Sequence, residues 1–163
     1  MAEPDAHGGT RAIDALDAFG LDYRVIRHGP VRSLDEAAAA RGVERADVVK
    51  SIVVRRADGD FLFVLVPGDR TVSWPKLRAL LDVSRLSMPD AATARDVTGY
   101  ERGTITPFGS SRPWPVVADE RLRGRRVTLG AGDHGVAVAV DADAAIAALG
   151  AQVADVTDAE EIG

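Results

Sequence analysis

The sequence predicts a single α+β domain in which short helices surround a mixed, mostly antiparallel sheet. Two apolar stretches, residues 48–54 and 61–66, are rich in β-branched and aromatic side chains and are separated by Ala-Asp-Gly-Asp at 57–60. This pattern is typical of two antiparallel strands joined by a tight turn. Short helical patterns with capping residues precede and follow the pair, and 163 residues are enough for one domain with a sizeable core.

The N-terminal part predicts a tail, two helices and a short strand before the central pair. Residues 1–9 are polar and contain glycine, so we expect a flexible tail. From residue 10 the apolar side chains follow a helical spacing that ends at Gly20, and residues 23–26 are a strand candidate. Ser33 and Glu36 form a capping-box pattern, which predicts a helix that ends at Gly42.

The chain after the central pair predicts further short elements around one long irregular segment. Ser73 is the predicted N-cap of a helix that ends at Leu81, and residues 89–97 predict another helix. Residues 98–115 are glycine- and proline-rich and predict a shaped loop. Strands at 116–118, 126–129 and 136–140, a helix capped by Asp141, and a strand at 153–156 complete the prediction. The domain is expected to cover residues 10–157, and residues 158–163 to form a C-terminal tail.

Composition excludes several classes of function. The chain has no cysteine, which excludes disulfides, thiolate nucleophiles and cysteine-ligated zinc. The three histidines show no metal-ligand spacing, so neither a metal site nor a cofactor is expected. A net charge of −5 argues against a general nucleic-acid coat, although it allows a local contact with one end of an RNA. The first residues lack a signal-peptide pattern and no apolar run reaches about 20 residues, so we expect a cytoplasmic protein.

Lys50 stands in the middle of an apolar strand and is one of only two lysines beside 18 arginines. A charge on such a strand needs water, a partner or an anionic ligand, because an unpaired buried charge is costly. An edge-strand lysine that discourages aggregation explains the residue equally well. The strand alone leaves these two interpretations open.

Two glycine-rich segments and one arginine-rich segment are further candidate sites. Residues 130–135 match G-x-G-x-x-G, but a strand pattern follows instead of the helix that a dinucleotide site requires, so we reject that function. The loop at 99–109 could present N–H groups to a carbonyl oxygen or could be an ordinary wide turn. The arginines at 121–126 favour a solvated loop over contact with RNA phosphates.

Four segments together resemble the YbaK/ProX family of aminoacyl-tRNA deacylases, which are relatives of the editing domain of bacterial prolyl-tRNA synthetases. They are His28-Gly29-Pro30, the strand at 49–53, the loop at 99–109 with Gly103 and Pro107, and the turn at 130–135. The resemblance covers nearly the whole chain and implies the editing-domain fold, with a partly closed barrel. It also implies hydrolysis of the ester that joins a wrong amino acid to the 3′ end of a tRNA, which protects translational fidelity.

The resemblance implies a set of site residues and partners. It makes Lys50 and Gly103 catalytic, with Lys50 as a positioned charge beside the ester rather than a nucleophile. The implied substrate-binding residues are His28, Pro30, Ser51, Thr104, Ile105, Thr106, Pro107, Phe108, Gly109, Gly132 and His134. The implied partner is the 3′ acceptor end of aminoacyl-tRNA, with an aminoacyl-tRNA synthetase as a second candidate, and no membrane or DNA.

The chain departs from the cysteine-directed branch of that family at two positions. Ile26 stands where that branch carries tyrosine, and Ala137 where it carries an acidic residue. Both changes make the implied pocket less polar, which disfavours cysteine and favours alanine, serine or another small amino acid. A non-catalytic module that binds aminoacyl-tRNA or a synthetase is the alternative function, and the retained Lys50 and loop residues favour the hydrolase.

Overall fold

The computed structural model describes residues 9–160, which form five α-helices and nine strands. The helices are α1 (Gly9–Ala18), α2 (Leu34–Arg41), α3 (Trp74–Leu81), α4 (Ala91–Thr98) and α5 (Ala142–Leu149). The strands are β1 (Tyr23–Arg27), β2 (Val49–Ala57), β3 (Asp60–Pro67), β4 (Arg70–Val72), β5 (Val116–Asp119), β6 (Arg126–Gly130), β7 (Val136–Asp141), β8 (Gln152–Ala154) and β9 (Thr157–Ala159).

The strands form three sheets. The largest has the order β2-β3-β5-β8, with β2 antiparallel to β3 and the two remaining pairs parallel. The second has the antiparallel order β1-β7-β6, and the third pairs β4 with β9. A parallel bridge between Val48 and Thr128 links the first two sheets. The predicted α+β class and mixed, mostly antiparallel pairing are confirmed, and the three sheets do not close into a barrel.

Strand β3 is covered on both faces, because its alternating side chains enter two separate cores. Phe61, Phe63 and Leu65 belong to the larger core, which also includes residues of β6, β7, α1 and α5. The intervening side chains of β3 pack with Leu77 of α3 and Val156 in the second core. This explains why residues 61–66 are continuously apolar rather than alternating.

The predicted N-cap residues begin three of the helices. Ser33 accepts a hydrogen bond from the Glu36 N–H at 3.1 Å at the start of α2. Ser73 and Asp141 cap α3 and α5 in the same way. These side chains satisfy N–H groups that have no partner within the helix.

The small β4-β9 sheet is held by a buried carboxylate. Asp119 is fully buried and accepts hydrogen bonds from the Val156 N–H at 3.2 Å and the Thr157 hydroxyl at 3.0 Å. Its charge is paired with Arg121 at 3.1 Å. Neither β4 nor β9 was predicted, and β9 extends into the range 158–163 that was predicted as a tail.

The predicted flexible tail at 1–9 lies outside the described residues except for Gly9, which begins α1. Within the described range, none of the helices has the length and apolar character needed to cross a bilayer.

Candidate functional site

A cleft of about 1270 Å³ lies where the two larger sheets meet. Its walls are the segment from His28 into α2, the outer edge of β2, the start of α4 and the two glycine-rich loops. The residues that line the cleft include His28, Pro30, Val31, Arg32, Leu34, Arg41, residues 48–53, Met88, Asp90, Arg102, Gly103, Ile105, Asp133 and His134.

The segment that leads into α2 is fixed to the turn at 130–135 by its backbone. The His28 N–H donates to the Gly135 carbonyl oxygen at 2.9 Å. A Cβ at residue 135 would lie 2.5 Å from the His28 carbonyl oxygen, and its φ of +73° favours glycine. Two of the segments that carry the family resemblance therefore form one wall of the cleft.

Lys50 lines the cleft with its ammonium held by the backbone. Its Nζ donates to the Arg70 carbonyl oxygen at 2.5 Å. An ammonium has three donors, so this contact fixes its position and leaves two donors for a ligand. Burial lowers the pKa of Lys50, and the Arg45 charge acts in the same direction while Glu160 and Asp69 oppose it.

Three buried polar side-chain atoms in the cleft wall have no hydrogen-bond partner among the described residues: the Arg41 Nε, the Ser51 Oγ and the His28 Nε2. The last two can accept a hydrogen bond. The His28 Nδ1 lies 2.8 Å from the Gly29 carbonyl oxygen, which can only accept a hydrogen bond. Nδ1 therefore carries the proton in the neutral ring, and Nε2 is an acceptor. Because unpaired buried polar atoms are costly, these two atoms are candidate ligand contacts.

The loop at 99–109 is closed by side chains from α1 and from the loop itself. Arg11 donates to the carbonyl oxygens of Gly99 at 3.0 Å and Gly109 at 3.1 Å. Its guanidinium also lies over the Tyr100 ring, and the Tyr100 hydroxyl donates to the Phe108 carbonyl oxygen at 2.6 Å. The loop is thus a fixed structure, and Gly103 lies at its exposed part with a φ of +89°.

Seven of the 13 predicted site residues line the cleft: Lys50, Gly103, His28, Pro30, Ser51, Ile105 and His134. They come from four separate segments of the sequence. At the cleft mouth, the exposed His134 Nε2 lies 3.2 Å from a Glu101 carboxylate oxygen, which brings the two glycine-rich loops together.

The other six predicted residues do not line the cleft: Thr104, Thr106, Pro107, Phe108, Gly109 and Gly132. Thr106, Pro107 and Phe108 are buried, and Phe108 packs edge-on against Phe19 with ring centroids 6.0 Å apart. The Gly132 N–H donates to the Thr104 carbonyl oxygen at 2.9 Å. These residues stabilise the two glycine-rich loops, because their side chains or backbone groups make contacts within the protein and do not face the cleft.

Sequence reasoning missed Arg41, a half-buried cation in the cleft wall. Its Nη1 donates to the Thr128 hydroxyl at 3.2 Å, its Nε has no partner in the part of the chain that the structure describes, and burial lowers its pKa. The only signal was its position in the last turn of a short helix. By contrast, the arginines at 121–126 are not cleft residues, and three of them pair with aspartates: Arg121 with Asp119 and Asp155, Arg123 with Asp143, and Arg125 with Asp47.

The two positions that were predicted to reduce pocket polarity lie opposite each other. Ile26 of β1 is the register partner of Ala137 of β7, and neither lines the cleft. The two departures from the cysteine-directed branch are therefore one paired change within the sheet. The apolar side chains on the cleft wall are instead those of Val31, Leu34 and Met88 together with β2 residues.

No group of three or more His, Asp or Glu side chains within residues 9–160 is arranged to hold a metal ion. For a ligand, the cleft presents cationic side chains, apolar side chains, and the Ser51 Oγ and His28 Nε2 as acceptors without a partner among the described residues.

Comparisons with known proteins agree with this geometry. The model of the aminoacyl-tRNA editing domain family matches residues 28–147. The proline–tRNA ligase of Bacillus licheniformis is 34% identical over 93 residues, 56% of this chain and 16% of the ligase. That of Desulfovibrio desulfuricans is 37% identical over 92 residues, with 56% and 16% covered. The matched part of the chain therefore covers only about a sixth of the length of these ligases.

A solved structure gives the same result over nearly the whole chain. The "putative trans-editing enzyme for prolyl tRNA synthetase" superposes with a TM-score of 0.86 and 28% identity, covering 97% of this chain and 99% of that one. The matched residues 28–147 include every residue of the cleft described above. The chain belongs to the aminoacyl-tRNA editing domain family.

Proposed function

We propose that the chain hydrolyses the ester between a small, wrongly attached amino acid and the 3′ end of a tRNA. The observation that carries this proposal is the convergence of Lys50 and Gly103 on one cleft, although they come from a strand and a loop far apart in the sequence. Editing by hydrolysis is needed because a binding pocket gains only about 1–3 kcal/mol from one methylene group.

The charge of the cleft supports an anionic substrate. Arg32, Arg41, Lys50 and Arg102 line it together with only two carboxylates, Asp90 and Asp133, although the chain as a whole carries a net charge of −5. Asp90 is further committed as the N-cap of α4, where it accepts from the Thr93 N–H. The cleft is thus a local cationic region that can attract the phosphates of an RNA end.

The reaction needs no covalent enzyme intermediate. The oxygen of a water, or of a nucleophile supplied by the substrate, bonds to the ester carbonyl carbon. The carbonyl oxygen takes up negative charge beside the Lys50 ammonium, which is fixed by the Arg70 carbonyl oxygen. The bond to the ribose oxygen then breaks, that oxygen receives the proton that the attacking oxygen gives up, and the carbonyl re-forms. We assign Lys50 the role of a positioned charge.

The polar and apolar groups of the wall suggest how the amino acid is held. The His28 Nε2 accepts a hydrogen bond from the substrate, since Nδ1 is committed to Gly29. Val31, Leu34 and Ile52 present apolar surface in the same cleft. We therefore expect alanine or another small amino acid to be removed faster than a charged one. Because the relatives are proline–tRNA ligases, a synthetase is a candidate partner, and the cytoplasm is the expected place of action.

A panel of tRNAs charged with alanine, serine, cysteine, proline and aspartate tests the proposal. The release of amino acid is measured with and without the protein under conditions that keep spontaneous ester hydrolysis slow. We expect faster release for at least one small amino acid. If none is released faster than without protein, while charged tRNA still binds, the chain is a non-catalytic binding module; without binding, both functions are wrong.

A further inference from the structure

Within residues 9–160, one edge of the largest sheet has no neighbouring strand where it borders the cleft. β2 is the outermost strand of that sheet, with β3 on its other side. Among the described residues, its outer side is bridged by Val48 to Thr128 at one end and by Arg55 to Ser87 at the other. We call residues 49–54, between these bridges, the β2 edge. Residues 49–53 of this edge line the cleft.

The direction of the backbone groups along the β2 edge follows from the bridge at Arg55. The Arg55 N–H donates to the Ser87 carbonyl oxygen at 2.7 Å and its own carbonyl oxygen accepts from the Ser87 N–H at 3.1 Å. Both backbone groups of Arg55 therefore point away from β3. Since this direction alternates from one residue to the next, the N–H and C=O groups of Val53 and Ser51 also point outward, towards the cleft.

The opposite strand confirms this alternation independently. Phe63 of β3 is the register partner of Val53, and its N–H donates to the Pro115 carbonyl oxygen on the far side of β3. Val53 and Phe63 thus exchange no hydrogen bonds, whereas Ile52 points its backbone groups towards β3. Among the described residues, no strand ladder or bridge is formed on the outer side of Ser51.

We propose that Ser51 binds the aminoacyl ester through its backbone, as if the amino acid were one residue of an added antiparallel strand. In a hydrogen-bonded antiparallel pair, two opposite residues exchange both N–H···O=C bonds. An aminoacyl ester offers the same two groups, an α-ammonium donor and a carbonyl acceptor. The Ser51 C=O accepts from the α-ammonium, and the Ser51 N–H donates to the ester carbonyl oxygen. This assignment rests on the proposed function.

The Ser51 N–H then acts as a fixed donor to the developing oxyanion. When the attacking oxygen bonds to the carbonyl carbon, the carbonyl π electrons move to the carbonyl oxygen, and the bond from the Ser51 N–H to that oxygen strengthens. When the carbon–ribose oxygen bond breaks, the carbonyl re-forms and the ribose oxygen takes the proton that the attacking oxygen gives up. A donor held by strand pairing needs no reorganisation during the reaction. Lys50, the preceding residue, supplies the second positive group.

Hydrogen exchange of single amides tests the geometry and the binding mode together. The probe is an RNA acceptor-stem hairpin that ends in 3′-deoxy-3′-(L-alanylamino)adenosine, whose amide resists hydrolysis. In the free protein we expect the Ile52 amide to exchange at least about tenfold more slowly than the Ser51 amide, because Ile52 is bonded to β3. At saturating probe, the Ser51 amide should slow about tenfold or more. A saturated complex in which Ser51 exchange is unchanged overturns the proposal while leaving the proposed function intact.

Three variants test the catalytic role of the same N–H. Ser51→Pro removes the outward N–H. Proline is tolerated at such a position, because the N–H on the outer side of an edge strand takes no part in the sheet. We expect kcat to fall about 100-fold or more. Ser51→Ala keeps the N–H and removes only the hydroxyl, so its kcat should exceed that of Ser51→Pro at least about tenfold. If Ser51→Pro does not fold, residue 51 is replaced by its α-hydroxy analogue. This changes the peptide bond before residue 51 into an ester bond and replaces the N–H by an oxygen, and kcat is measured in the same way. An unchanged kcat in the variants without the N–H, or an equal loss in Ser51→Ala, contradicts the proposal.

The proposed deacylation and the proposed role of the β2 edge can be refuted separately. If the wild-type protein deacylates no tRNA and does not bind the probe, the proposed function is wrong. If it deacylates but Ser51→Pro or the ester-substituted protein is as active as wild type, only the role of the β2 edge is wrong.

Discussion

Gly103→Ala tests whether the loop at 99–109 positions the substrate, because it should reduce the deacylation rate by more than its effect on the Tm explains. Gly103 has a φ of +89°, where an L-residue is strained by about 1–2 kcal/mol. The side chain itself meets little, since the nearest atom to an added Cβ is the His134 Cε1 at 3.9 Å. For a protein of this size about 1 kcal/mol shifts the Tm by about 2–4 °C, so we expect the Tm to fall by about 2–8 °C.

The loss of activity should be larger than this strain implies. Relief of the strain moves the loop, which lines the same cleft as Lys50. A displacement of the loop by about 1 Å relative to the substrate can reduce the rate about 100-fold. We expect the deacylation rate to fall about 10- to 100-fold at a temperature where the variant is fully folded. Circular dichroism melting gives the Tm, and release of labelled amino acid from charged tRNA gives the rate.

Gly124 is a matched control, because it has a φ of +77°, no atom within 4 Å of an added Cβ, and no place in the cleft. Gly124→Ala should lower the Tm by a similar amount and leave the deacylation rate unchanged. If Gly103→Ala is as active as Gly124→Ala when both are folded, Gly103 is a structural glycine and the loop does not position the substrate.

Three further predictions concern the 99–109 loop, the buried Asp119 and the exposed Asp155. Arg11→Gln should lower the deacylation rate about tenfold with a stability loss of about 1 kcal/mol, because it removes charged hydrogen bonds that close the 99–109 loop; unchanged single-turnover rates would contradict this role. Asp119→Ala should cost about 2–5 kcal/mol in urea unfolding, since it leaves the Val156 N–H and the Thr157 hydroxyl without their buried acceptor, at about 1–3 kcal/mol each; a loss below about 1 kcal/mol would refute it. Hydrogen bonds from Arg121 and Lys76 lower the pKa of Asp155 from 3.8 to about 2. Ionised Asp155 therefore stabilises the folded state fully above about pH 4, and this contribution is lost as the pH falls to about 2. In urea unfolding across this range, the free energy of unfolding should depend less on pH for Asp155→Asn than for wild type.

The local elements could be predicted because their signals lie within a few residues. Ser33, Ser73 and Asp141 cap helices at the predicted places, and the β2-β3 hairpin follows from two apolar runs and a Gly-containing turn. The parallel pairing of β3 with β5 could not be predicted in this way, because it depends on contacts between distant segments. The three-residue strands β4 and β9 are too short for a periodic pattern and depend on Asp119.

The site could be predicted in part for the same reason. A motif identifies a segment but not which of its atoms face a ligand, so the loop at 99–109 supplied both cleft residues such as Gly103 and buried ones such as Phe108. Arg11 and Arg41 were missed because their partners are distant in sequence: Arg11 contacts a loop 88 or more residues away, and Arg41 contacts Thr128. The outward backbone groups of Ser51 became visible only from the pairing of Arg55.

The rate of amino acid release from the best substrate, measured in single turnover for Lys50→Ala and Lys76→Ala, tests the central claim most directly. These are the only two lysines of the chain, and both donate to a backbone carbonyl oxygen, but only Lys50 lines the cleft. We predict that Lys50→Ala loses about 100-fold or more in rate, because it removes the charge beside the developing oxyanion, and that Lys76→Ala deacylates at the wild-type rate. Equal rates for wild type and Lys50→Ala would contradict the claim that this cleft hydrolyses aminoacyl esters with Lys50 as its positioned charge.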